Sequence, residues 1–177
     1  MTLDSVGHAI SLSVERHDEL ESVQISFARF IEIALQERPC YVCVNELRSY
    51  HDWTETFGVA PAFCIDLPER FSVYDLNGIR FETLLALVAT GDFHWDAVWI
   101  VFKRGFDAPH DIEHVRRTLL GYSNAVGARN EDVPESIIPE GDGDVVTWFR
   151  PTLELETVRA KLSDVLRPLG IYWSFVT

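Results

Sequence analysis

Ala97-Val98-Trp99-Ile100-Val101-Phe102 is apolar at every position, and this stretch decides the fold. A strand with one wet face alternates apolar and polar residues, whereas six apolar residues in a row, too few for a core helix, read as a central strand covered on both faces. Downstream, Asp107-Ala-Pro-His-Asp opens a helix, with Asp107 placed to cap it and Pro109 tolerated in its first turn. Ile112, Val115, Leu119 and Tyr122 form its expected inner stripe. Periodicity then stops after Gly121 and returns near Asp144 as a strand to Phe149. Pro151-Thr152 starts another helix, whose stripe of Leu155, Val158, Leu162, Val165, Leu166 and Leu169 is closed by Pro168 and Gly170. Ile171 to Val176 reads as the last strand. The second half is therefore expected to run β-α-β-α-β, with crossovers and some parallel pairing.

Upstream the elements are shorter. Ile10, Leu12 and Val14 alternate with serines, a strand with one wet face. From Asp18 to Glu37, Leu20, Val23, Phe27, Phe30, Ile31, Ala34 and Leu35 lie on one helical stripe, stopped by Pro39. Cys40 to Val44 reads as a buried strand, and Tyr50, Trp53 and Phe57 suggest a short helix between Asn45 and Gly58. Ala62 to Leu67 and Phe71 to Leu76 are strands, followed by Asn77-Gly78, a strong hairpin signal with Ile79 to Phe81 pairing back. A compact helix spans about Arg80 to Thr90, with Gly91 as its stop. The fold expected is α+β: a single-domain mixed β-sheet packed by about four helices. One domain covers 1–177, with a long acidic loop at about 123–143.

A chain of 177 residues with 47% apolar content has the size and composition of one ordinary folded domain, which excludes a mainly disordered protein. Its longest apolar runs fall far short of the ~20 residues a bilayer requires, so no membrane association is expected. Met1 to His8 carries Asp4 and no basic or apolar run, so it does not read as a secretory signal, and the expected location is cytoplasmic. Cys40 and Cys43 form a C-x-x-C inside an extended run, which points them to opposite faces and forbids a direct disulfide. They read as buried thiols, and Cys64, between Phe63 and Ile65, reads the same way.

Charge is the strongest compositional signal. Asp and Glu number 28 against 15 Lys and Arg, a formal net charge of -13. Such a surface repels phosphate and anionic lipid and attracts cations. The acids Glu131, Asp132, Glu135, Glu140, Asp142 and Asp144 follow one another with no base between them. They fall in the one long stretch without periodicity, so they are the candidate partner-binding residues. The pairs Lys103-Arg104 and Arg116-Arg117 make no basic stripe, and nucleic-acid binding is not expected.

His110-Asp-Ile-Glu113-His114 resembles the zinc site of inverted zincin peptidases. That resemblance implies His110 and His114 as zinc ligands, Glu113 as the base that activates water, and a distant glutamate as a further ligand. Helical spacing sets His110, Glu113, His114 and Arg117 opposite the stripe of Ile112, Val115 and Leu119, facing water and without a shielded cleft. Glu140-Gly-Asp-Gly-Asp144 alternates carboxylates and glycines like a calcium loop, yet lacks the register and terminal glutamate of an EF-hand. His51-Asp52-Trp53 and His94-Trp95-Asp96 each set a titratable group beside an indole, a combination that lines pockets or ties a core Trp. Glycine-rich nucleotide loops and a G-x-S-x-G elbow are missing from the sequence. No metal and no cofactor are expected.

In bulk properties, small, acidic and free of catalytic motifs, the chain looks like the immunity proteins with which bacteria neutralise toxins. That likeness implies a non-enzymatic, acidic binding module whose partner is a basic protein such as a cognate toxin or enzyme. Two alternatives stand beside it: a small metal-dependent hydrolase using His110, Glu113 and His114, and a structural subunit of an oligomeric assembly with Trp53 or Tyr172 exposed.

Overall fold

In the computed structural model, the described residues are 1–6, 9–14, 18–94, 97–103, 108–123, 134–140, 144–172 and 174–175. The strands are β1 (Thr2–Val6), β2 (Ala9–Ser13), β3 (Cys40–Asn45), β4 (Phe63–Leu67), β5 (Glu69–Leu76), β6 (Val98–Phe102), β7 (Ser136–Glu140), β8 (Val145–Phe149) and β9 (Ser174–Phe175). Among the described residues six α-helices accompany them: α1 (Leu20–Leu35), α2 (Trp53–Phe57), α3 (Phe81–Val88), α4 (Gly91–His94), α5 (Ala108–Ser123) and α6 (Leu155–Leu166). All strands join one mixed sheet in the order β4-β5-β3-β6-β7-β8-β2-β1-β9. Every pairing is antiparallel except that of β9 on β1. The protein is α+β, as its sequence patterns indicate.

Both faces of β3 and β6 are buried, as their unbroken apolar runs require. Alternation divides their side chains between two layers. Cys40, Val42, Val44, Val98, Ile100 and Phe102 join a large core under α1, α3 and α6, whose inner stripes include Phe27, Phe30, Ile31, Leu84, Leu87, Val158 and Leu162. Tyr41, Cys43, Trp99 and Val101 face the other way, against Val115 and Leu119 of α5. The two thiols therefore occupy opposite faces. Burial pushes Cys40 up to about 12, and Cys43 is raised by the same cause. Cys64 departs from its expected burial: it is exposed on the edge strand β4, whose Phe63, Ile65 and Leu67 take the inward positions.

Four readings are corrected by the structure. The loop expected at 123–143 contains β7, so the second half runs β-α-β-β-α-β and its central pairings β6–β7 and β7–β8 are antiparallel. Pro139 disguised this strand. It is tolerated because β7 meets β6 only at Ser136 and Ile137, leaving Pro139 paired on one side, with β8. A strand β1, unmarked by alternation, precedes β2. Asn77-Gly78 makes no hairpin and instead turns β5 into α3. The left-handed conformation was still required there: Gly78 has φ +97°, and a Cβ at that position would meet the Glu37 carbonyl oxygen at 3.3 Å.

The fourth correction concerns α5. It buries His114, Val115, Thr118 and Leu119, while Ile112, expected inside, is 42% exposed. His114 can turn inward because its Nε2 bonds the Phe102 carbonyl at 3.1 Å and the Thr118 hydroxyl donates to the His114 carbonyl at 3.1 Å. Glu113 and Arg117 do face outward and pair with each other at 3.4 Å. The cap expected at Asp107 lies outside the described residues.

Candidate functional site

Of the acidic residues singled out in the sequence, Glu135, Glu140 and Asp144 are described, and these three differ in their surroundings. Glu131, Asp132 and Asp142 lie outside the described residues. Glu135 is engaged internally: Arg38 donates Nη1 to its Oε2 at 3.0 Å and Nη2 to its Oε1 at 2.7 Å, and the Trp148 indole donates to Oε1 at 3.1 Å. Glu140 accepts the Thr147 hydroxyl, and Thr147 in turn bonds the Ser11 hydroxyl at 3.0 Å, a polar row across β7, β8 and β2. Asp144, among the described members, stands exposed at the turn before β8. Among the described members, the Arg38 pair holds Glu135 and the Thr147 hydroxyl holds Glu140.

Two members of the His-x-x-Glu-His string have other partners. His114 is committed to a backbone carbonyl and Glu113 to Arg117. The His110 side chain is outside the described set, and among the described residues no group of three His, Cys, Asp or Glu side chains could hold a metal ion.

A more organised site lies at the end of β3. Asn45, buried in the last strand position, anchors the chain that leaves it: its side-chain oxygen accepts the Leu47 N–H at 3.0 Å, and its carbonyl accepts those of Arg48 and Ser49 at 3.2 and 2.9 Å. Such Asx-type bonding stabilises a turn without sheet partners. The following residues are pinned to Asp92 on α4. Its carboxylate accepts the Ser49 hydroxyl at 2.5 Å, the Tyr50 N–H at 3.0 Å and the Trp53 indole N–H at 2.8 Å. Asp92 is only 3% exposed. A buried carboxylate without its water shell is costly unless donors replace that water, and three do so here.

From this anchor α2 follows, capped by the Asp52 carboxylate on the Glu55 N–H at 3.1 Å and closed by Gly58 at φ +68°. Trp53 stacks on Phe57 with centroids 5.2 Å apart, and Phe57 meets Tyr74 edge-on at 5.1 Å. Trp53 is thus core, 2% exposed, and does not offer the surface aromatic expected for an oligomer contact. Tyr172 is exposed, as that alternative required.

With its backbone and Trp53 fixed, the loop turns the rest outward. Tyr50 is 93% exposed and Leu47 70%. His51 packs edge-on against Trp53 at 4.7 Å and bonds Thr56 Oγ1 through Nε2 at 2.6 Å. Tyr50, His51, Thr90, Gly91 and Asp92 line a cleft of about 260 Å³. Asp52 and Glu55 stand exposed at the start of α2, whereas the Glu46 carboxylate pairs with Arg70 at 3.2 Å and accepts the Ser72 hydroxyl. Ser, His and Asp occur together here, but Ser49 donates directly to Asp92 and His51 turns to Thr56. The proton path of an acyl-transfer triad, from hydroxyl to imidazole to carboxylate, is therefore not wired.

His51-Asp52-Trp53 was the sequence signal for this site. Asp92 had none, because the contact spans 43 residues and no local pattern reports it. Trp95 and Asp96 of the second His-Trp-Asp string lie outside the described residues, as does the His94 side chain. No protein-family model, curated protein or solved structure matches the chain in comparisons of its sequence and fold.

Proposed function

We propose that this chain is an acidic protein-binding module of the immunity type, acting in the cytoplasm by binding and neutralising a basic toxin or enzyme. The observation that carries this reading is the presentation of Tyr50 and Leu47 on a loop held from below by Asp92. Exposed tyrosines on a rigid support are favoured interface anchors, since they bring large contact area at low conformational cost. Asp52 and Glu55, exposed just after that anchor in the chain, add local negative charge, and the whole chain at -13 adds long-range attraction for a cationic partner. Asp144 belongs to the second acidic region considered.

The test is co-expression with the protein encoded by the neighbouring gene, where the partner of an immunity protein is expected. Relief of that protein's toxicity, together with a complex whose association slows as salt rises, supports the reading. A neighbour that remains toxic and forms no complex at low ionic strength overturns it. Replacing Asp142 and Asp144 by Lys separates the two acidic regions, because a contact through the 131–144 stretch also dissociates faster after that reversal, whereas one elsewhere loses only part of its long-range attraction.

A further inference from the structure

We propose that the cleft formed by Tyr50, His51, Thr90, Gly91 and Asp92 receives a guanidinium group, presented by an arginine side chain of the partner; the identity of that donor as a partner protein rests on the binding reading above. Asp92 supplies the first reason. It is a nearly fully buried carboxylate, and among the described residues its side-chain contacts are three neutral donors, a hydroxyl and two N–H groups, with no basic side chain paired to it. A carboxylate offers about four acceptor positions, so one remains after these three. Asp92 also lines the cleft, which places a carboxylate held by neutral donors, without a basic side chain, beside an opening.

The walls give the second reason. Tyr50 and His51 are aromatic and exposed, and planar guanidinium stacks on aromatic faces while donating in its own plane to a carboxylate. The cleft volume of about 260 Å³ lies below the roughly 300–1,000 Å³ of sites for drug-sized ligands, so it suits the head of one side chain. Asp52 and Glu55, exposed on α2, favour the same sign of ligand.

The Trp53 indole N–H reports on the site directly, since it donates to Asp92 at 2.8 Å. Its ¹⁵N-resolved signal is followed while N-acetyl-arginine amide is added to the full chain, with N-acetyl-citrulline amide as the uncharged isostere. The expected result is a saturable shift with the arginine compound alone, at a Kd on the order of 1 mM for a single side chain. Tyr50→Ala and His51→Ala, both at exposed positions, are expected to weaken it several-fold without unfolding the chain. Asp92→Asn is expected to abolish it, and the two exposed variants keep the test decisive if that protein does not fold. An indole signal that does not move, or moves equally with citrulline, overturns the assignment. Saturable arginine binding in a chain that recognises no basic partner supports the cleft and counts only against the broader binding reading.

Discussion

Arg38 and Glu135 lie 97 residues apart and meet in a two-pronged ion pair, with hydrogen bonds of 3.0 and 2.7 Å. The guanidinium also donates to the Ala34 and Leu35 carbonyls at 2.8 and 3.2 Å and lies 4.1 Å over the Phe102 ring. One arginine thereby closes the end of α1, covers the central strand and fixes the entry to β7. Replacing Arg38 by Ala is expected to destabilise the fold by about 2 kcal/mol, measured by urea unfolding, because paired carbonyls and a half-buried carboxylate lose their donors. Arg38→Lys should recover less than half of that loss, since an ammonium cannot reproduce the fork.

This pair also marks the limit of what the sequence discloses. The runs at β3 and β6 and the stripes of α1 and α6 announced themselves, because burial on one or both faces leaves a period in the residues. β7 did not, since Ser136, Pro139 and Glu140 break its apolar pattern and its stability comes from two neighbouring strands. The rotation of α5 was hidden for a related reason: a histidine and a threonine count as polar in any periodicity, yet local hydrogen bonds let both be buried. At the candidate site His51 and Trp53 were legible and Asp92 was not, because its role is set by three donors from a distant loop.

Asp92 should be a strong determinant of stability. Asp92→Ala is expected to cost about 2–4 kcal/mol, as it removes the shared acceptor of the part-buried Ser49 hydroxyl and Tyr50 N–H and of the buried Trp53 indole. Tyr50→Ala, by contrast, should change the unfolding midpoint by less than about 0.5 kcal/mol equivalent, because that side chain is almost wholly exposed. Similar losses in the two variants would contradict the support role assigned to Asp92.

The glycines at two turns make a paired prediction. Gly58 and Gly78 both adopt positive φ, but a Cβ at Gly58 enters open space, whereas at Gly78 it presses on the Glu37 backbone. Gly58→Ala should therefore cost about 1 kcal/mol from conformation alone, and Gly78→Ala distinctly more. Thermal unfolding of the two variants checks the order.

The cysteines predict an alkaline weakness. An unfolded Cys40 ionises near 9.0, while burial in the folded chain holds its proton up to about 12. Above the lower value the unfolded state binds fewer protons than the native state, so stability present below pH 9.0 is lost as pH rises towards about 12. Cys40→Ala should flatten this decline in urea midpoints. A chromogenic disulfide reagent at neutral pH should react rapidly only with Cys64, the exposed thiol, and with all three cysteines once the chain is unfolded.

The central claim is that the Asp92-supported loop is the binding surface. It is tested most directly by the dissociation rate of the complex with the basic partner proposed above, comparing the native sequence with Tyr50→Ala and with Glu113→Ala on the outer face of α5. An anchor worth about 2 kcal/mol predicts dissociation about 30-fold faster for Tyr50→Ala and an unchanged rate for Glu113→Ala. A Tyr50→Ala complex that dissociates at the native rate would contradict the account.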